Sequence, residues 1–177
     1  MNIIEKTIVF LIVILGIVSS SYSDSSNAIP EGLTVNSTNL KLSVTYPYGW
    51  QHEETSRSVV IKSKEVIESK RKSGAEIIVS LLGPVDDKNT PLKTVWEFIT
   101  DFFSDMTFEQ PVSITINGKQ ALRAVFSDQK DNSQGWTILT MQDGYRYLIV
   151  TQVFKAADWA VYEDTFRAIL NTFHTIN

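Results

Sequence analysis

Cysteine is absent from the 177 residues. That removes disulfides, thiolate nucleophiles, Cys-based zinc sites and lipid attachment through a lipobox cysteine. Histidine is nearly as scarce. His52 and His174 are the 2 present, so a Ser-His-Asp arrangement has to use one of them, and no G-x-S-x-G elbow accompanies either. A basic field is missing too: the formal charge of −4 offers nothing to draw in nucleic acid or an anionic membrane surface. No residue set amounts to a catalytic or cofactor motif, and the expectation is that the protein is not an enzyme and carries no cofactor.

Long apolar runs are confined to Thr7–Val18 (TIVFLIVILGIV), followed by small residues and a Ser21-Tyr22-Ser23 processing site. The run fits the ~7–15 residues of a signal-peptide core better than the ~20 of a membrane span. Residues 1–23 therefore read as a signal peptide, with an uncleaved N-terminal anchor as the alternative. Either way the rest of the chain is placed outside the cytoplasm, secreted or tethered by its N-terminus. Removing the segment takes away Glu5 and Lys6 together and leaves the net charge unchanged. Residues 24–38 are rich in Ser and Asn with Pro30 and Gly32, which reads as a flexible linker. Residues 39–177 then form the folded domain.

What the domain does have is a strong hairpin. Asp143-Gly144 sits between two runs of aromatic, β-branched and aliphatic residues, GWTILTMQ and YRYLIVTQVF. A two-residue loop sets Gln142 opposite Tyr145, Thr140 opposite Tyr147 and Ile138 opposite Ile149. Trp136, Ile138, Tyr147 and Ile149 fall on one face, and Leu139, Met141, Leu148 and Val150 on the other. Neither face is polar, so these are central strands covered on both sides.

Around the hairpin, Leu40–Tyr46, Val59–Ile61, Ala75–Leu82, Val112–Ile116 and Gln120–Ser127 read as strands, the last two joined by Asn117-Gly118. Thr90-Pro91 announces a helix whose apolar stripe is Leu92, Val95, Trp96, Ile99, Phe103 and Met106. A second helix opens at Asp158, read as its N-cap, with Trp159, Tyr162, Phe166, Ile169, Leu170 and Phe173 on its apolar face. Trp159 is expected to be largely buried against the sheet. The fold class is α+β, an α/β/α sandwich with a mainly antiparallel central sheet of about six to seven strands and two amphipathic helices.

Two stretches carry a family resemblance. Leu42–Glu54 (LSVTYPYGWQHEE) is similar to the first strand, Pro, Trp and following acid of the PsbP family and its DcrB-like relatives. Asp158-Trp159 with Ile169-Leu170-Asn171-Thr172-Phe173 is similar to that family's last helix. The resemblance spans roughly Leu40 to Phe173. It implies an α/β/α sandwich, exported or lumenal, without a family-wide enzyme activity. Together with the flexible linker and the missing catalytic motif, the expectation is a non-enzymatic accessory or binding domain acting through protein–protein contact at the cell envelope. The partner would be an unidentified envelope or membrane protein, with the membrane reached only through an uncleaved N-terminal segment. Plant and algal members are extrinsic subunits of photosystem II; this chain has neither a lipobox cysteine nor a recognisable plastid-targeting region.

Two candidate sites remain. His52, Glu53 and Glu54 follow Trp50 in what reads as a turn, where an imidazole and carboxylates can meet a divalent cation. This is the basis of the alternative reading, a cation- or small-ligand-binding envelope module. Glu97, Asp101 and Asp105 form an i, i+4, i+8 acidic stripe off the apolar face of the first helix, suited to a hard cation or to a basic partner. Lys70-Arg71-Lys72 reads as a solvated loop.

Overall fold

The computed structural model describes residues 29, 31–85, 91–102, 106–128 and 130–176. The apolar leader, residues 24–28 and Pro30 of the linker, Thr90 and Phe103 lie outside the described residues. At the centre stand β9 (Ser133–Gln142) and β10 (Tyr145–Val153). Their register is the expected one, with Gln142 opposite Tyr145, Thr140 opposite Tyr147 and Ile138 opposite Ile149. Asp143 and Gly144 take φ of 47° and 87°, the left-handed pair that a type I′ turn demands.

The sheet grows outward from this hairpin by antiparallel pairing alone. On one side lie β5 (Ala75–Pro84), β4 (Ser58–Lys62) and β3 (Gln51–Glu54). On the other lies β8 (Lys119–Asp128), whose outer edge is shared by β6 (Thr107–Phe108) and β7 (Val112–Ile116). Among the described residues the central sheet has 8 strands, close to the six or seven expected. Helix α2 (Leu92–Phe102) lays Trp96 and Ile99 on Ala124 and Leu139. Helix α3 (Trp159–Thr172) packs Phe166 and Ile169 on the opposite face, with Trp136, Ile138, Tyr147 and Ile149. The two apolar faces of the hairpin each receive a helix, which makes the architecture an α/β/α sandwich.

Three expectations need correction. The strand read at Leu40–Tyr46 is β2 (Leu42–Pro47), and it does not join the central sheet. It pairs with β1 (Gly32–Ser37) and β11 (His174–Thr175) in a separate 3-stranded sheet that packs into the α3-side core through Val35, Leu42, Val44 and Tyr46. An alternating pattern specifies a half-buried strand, not which sheet receives it. The linker read over 24–38 consequently ends early. Gly32–Ser37 forms a full ladder with β2, and Val35 and Ser37 are buried. Polar composition there was outweighed by a neighbour offering every backbone partner. Finally, Asp158 is not a side-chain N-cap. It sits in a 3₁₀ turn over Ala156–Asp158 and makes no capping bond. Between β4 and β5 a short helix α1 (Lys64–Ser69) replaces part of the charged insertion.

A few polar contacts lock the small sheet and α3 onto the central one. The fully buried Tyr147 hydroxyl donates to the Leu40 and Lys41 carbonyls at 3.1 and 3.0 Å. Thr172 Oγ1 accepts from Thr45 N–H at 2.8 Å and lies 2.7 Å from the Ile169 carbonyl. The Asn117 side-chain amide donates to the Phe173 carbonyl, and Thr175 donates to Asp143. Packing is tightest at Gly135, where a Cβ would stand 1.8 Å from the Thr151 carbonyl and 2.7 Å from the Phe126 ring.

Two outcomes follow from this packing. Gly135→Ala has no room without displacing backbone, so its melting temperature by circular dichroism should fall by about 6 °C or more, from a loss of about 3 kcal/mol. Burial, reinforced by the Tyr145 and Asp143 charges, pushes the Tyr147 phenol up to about 12. The unfolded phenol ionises near pH 10, so between pH 10 and about 12 the folded state holds more protons and stability falls as pH rises. Denaturant titrations should show full stability below pH 10 and a loss of about 2–3 kcal/mol by pH 12. In Tyr147→Phe, less stable at neutral pH by about 1–2 kcal/mol, that alkaline slope should shrink.

Candidate functional site

His52, Glu53 and Glu54 lie on β3, an edge strand, and not in a turn; all three are exposed. A strand sends alternate side chains to opposite faces, and the three go to three partners. His52 Nδ1 stands 2.7 Å from the Tyr46 hydroxyl. Glu53 takes the Lys62 ammonium at 2.6 Å, and that hydrogen bond holds its carboxyl below the usual range. Glu54 accepts from Ser37 Oγ at 2.6 Å. Among the described residues no group of three His, Asp or Glu side chains stands together as a ligand set. His52 and Glu54 instead tie the edge of the central sheet to β2 and β1 of the small one.

Of the acidic stripe, Glu97 is exposed on α2. The side chain of Asp101 and the whole of Asp105 lie outside the described residues. The basic Lys70-Arg71-Lys72 stretch is more than a solvated loop. Lys70 and Arg71 adopt φ of 54° and 65° after α1. This turns the Arg71 guanidinium back onto Glu76, which it meets at 2.6 and 2.9 Å. Glu76 is fully buried and also accepts from Gln152 at 3.1 Å. Burying a carboxylate is costly unless charge and hydrogen bonds answer it, and here both do.

The grouping that sequence reading missed lies where α3 crosses β8 and β9. The guanidinium carbons of Arg123 (β8) and Arg167 (α3) stand 4.9 and 4.8 Å from the centre of the Trp136 ring. Trp159 meets the same indole edge to face at 4.9 Å. Arg167 is paired with Glu163 one turn back. Desolvation lowers the pKa of both arginines, and for Arg123 the Glu163 and Glu109 carboxylates oppose it. Trp136 is buried, while Trp159, Arg123, Glu163 and Arg167 are half-buried, with the exposed Val112 opposite Arg123 on β7. Trp159 is therefore less buried than expected, because Trp136 occupies the place beneath it. The ring quadrupole offsets part of the hydration each guanidinium loses. The i, i+4, i+8 spacing of Trp159, Glu163 and Arg167 was the available signal. The partners Arg123 and Trp136 come from other strands and share no local pattern with it.

No family model matches the chain, and no curated protein matches it by sequence. Solved structures do match. Cyanobacterial PsbP (CyanoP) from Synechocystis sp. PCC 6803 superposes with a TM-score of 0.57 at 16% identity, covering 86% of this chain and 97% of that one. LpqN, described as involved in cell envelope biogenesis of Mycobacterium tuberculosis, gives 0.55 at 13% identity, covering 83% and 91%. A Bacteroides thetaiotaomicron protein gives 0.54 at 12% identity, covering 82% of this chain and 49% of that one. The fold is PsbP-like.

Removing Arg71 leaves Glu76 buried against Gln152 alone. Arg71→Ala should therefore cost about 3 kcal/mol in urea unfolding. A second change, Glu76→Gln, should recover much of that loss by neutralising the stranded charge; a double variant no more stable than Arg71→Ala would show that the pair is not what holds this turn.

Proposed function

We propose that this protein is an exported, non-enzymatic accessory domain of the cell envelope that works by protein–protein contact. The observation that carries the reading is the Trp136–Trp159–Arg123–Arg167 cluster, half-open on the α3 side of a PsbP-like sandwich. Tryptophan and arginine are the residue types on which interface energy concentrates, most of all where they stand partly desolvated and pre-positioned by packing. Here the ring contacts and the Glu163 pairing hold both guanidinium planes in place before a partner arrives, which lowers the ordering cost of binding. The apolar Thr7–Val18 segment supports an extracytoplasmic location for the domain. The likeness to a protein described as involved in cell envelope biogenesis points the same way. Among the described residues no helix is long and apolar enough to cross a membrane.

The test is recovery of partners from detergent-solubilised native envelope, with the tagged full chain as bait at low and moderate salt. A reproducible partner is expected for the wild type. It should be weakened at least about tenfold by Arg167→Ala, since truncation of a hot-spot arginine costs about 2 kcal/mol or more and about 1.4 kcal/mol is already tenfold. Recovery of the chain alone under every condition, or a partner retained unchanged by Arg167→Ala and by Arg123→Ala, would overturn this assignment of the contact surface.

A further inference from the structure

The central sheet ends on one side in β7, Val112-Ser113-Ile114-Thr115-Ile116, and among the described residues no strand pairs with its outer edge. Open edges of natural sheets are usually guarded by charge, proline or a bulge. The opposite edge strand, β3, follows that rule with His52, Glu53 and Glu54. Strand β7 does not: its five residues are β-branched or small, uncharged, and free of proline and lysine. Val112 is 48% exposed, and Ser113 and Thr115 are exposed as well.

We infer that β7 is a self-pairing edge through which two copies of this chain join antiparallel across a two-fold axis at Ile114. The backbone sets the geometry. Asn117-Gly118 is a two-residue hairpin loop with φ of 49° and 73°, flanked by the Ile116–Lys119 pair. Residues flanking such a loop form a hydrogen-bonded pair, and the pattern alternates from there. Val112, Ile114 and Ile116 therefore spend their N–H and C=O groups on β8. Ser113 and Thr115 turn theirs outward. Centring the axis on Ile114 sets Ser113 of each copy opposite Thr115 of the other, and these are the residues with backbone groups to exchange. The pairing closes four hydrogen bonds.

The side chains agree with the same register. The strand reads apolar-polar-apolar-polar-apolar in both directions, so Val112 meets Ile116 and Ile114 meets its own copy on the α3 side, while Ser113 meets Thr115 on the other. A one-residue slip would break the hydrogen-bond match and move the apolar set out of contact. Pro111, which has no N–H, limits the ladder at its end. This is the self-complementary, isologous arrangement a two-fold dimer requires. Its short ladder falls below the ~1,200–2,000 Å² of a standard stable interface, so the dimer is weak and concentration-dependent.

Sedimentation velocity on the full chain in detergent micelles, over a range of protein-to-micelle ratios, should show a monomer–dimer equilibrium. Thr115→Pro removes one outward N–H per copy without touching the β8 ladder and should weaken it at least about tenfold at unchanged melting temperature. The absence of native cysteine allows a second, register-specific reading. Ile114→Cys should oxidise to a disulfide-linked dimer, because the central pair is the close, non-hydrogen-bonded kind. Ser113→Cys, which faces Thr115 of the other copy, should not. A monomer at every concentration, a dimer indifferent to Thr115→Pro, or equal cross-linking at 113 and 114 would each overturn the inference. If Thr115→Pro alone proves unstable, the cross-linking pattern decides.

Discussion

A hairpin with no polar face cannot be left with a wet side, and the rest of the structure follows from that constraint. Strands β9 and β10 carry Trp136, Ile138, Tyr147 and Ile149 on one surface and Leu139 and Leu148 on the other. At roughly 25 cal/mol per Å² of apolar surface, leaving either exposed would erase a large part of a domain's net stability. Two covers are therefore required. Helix α2 is the smaller; α3 is the larger, and it shares its face with the three strands of the second sheet. Gly135 shows how close the fit is, since strand backbone and the Phe126 ring occupy the space a methyl group would need.

The covers are held by few but well-placed polar contacts. The Tyr147 phenol, the Thr172 hydroxyl and the Asn117 amide each reach backbone groups of distant segments. Each gives a carbonyl its partner, at a buried site for Leu40 and at part-buried ones for Thr45 and Phe173. At the buried site the penalty avoided counts for more than net hydrogen-bond strength. The Arg71–Glu76–Gln152 group works in the same way at the turn after α1. Its left-handed residues Lys70 and Arg71 are tolerated because the turn they make brings a guanidinium to a buried carboxylate.

The proposed contact surface is continuous with this core. Trp136 belongs to the buried cluster beneath α3, yet its ring is also the platform for Arg123 and Arg167. Stability and recognition thus share one side chain, and the arginines that rest on it are positioned by the fold. The β7 edge lies next to this surface, with Val112 directly opposite Arg123.

From the sequence alone came the hairpin and its register, the two amphipathic helices and their placement on opposite faces, and the antiparallel α/β/α class. These are decided by short-range signals: a left-handed Asp-Gly turn, a two-residue alternation, a 3.6-residue stripe. Only the tertiary structure decided that Leu42–Pro47 leaves the central sheet, that Gly32–Ser37 is a strand, and that His52, Glu53 and Glu54 are parted among Tyr46, Lys62 and Ser37. It also decided that Arg123, Trp136 and Arg167 meet. Their separations along the chain are too long for any periodicity to record, and the energy that joins them comes from burial and charge between elements. A local pattern can say which face of a strand is apolar, but what covers that face is settled by the segments that compete for it.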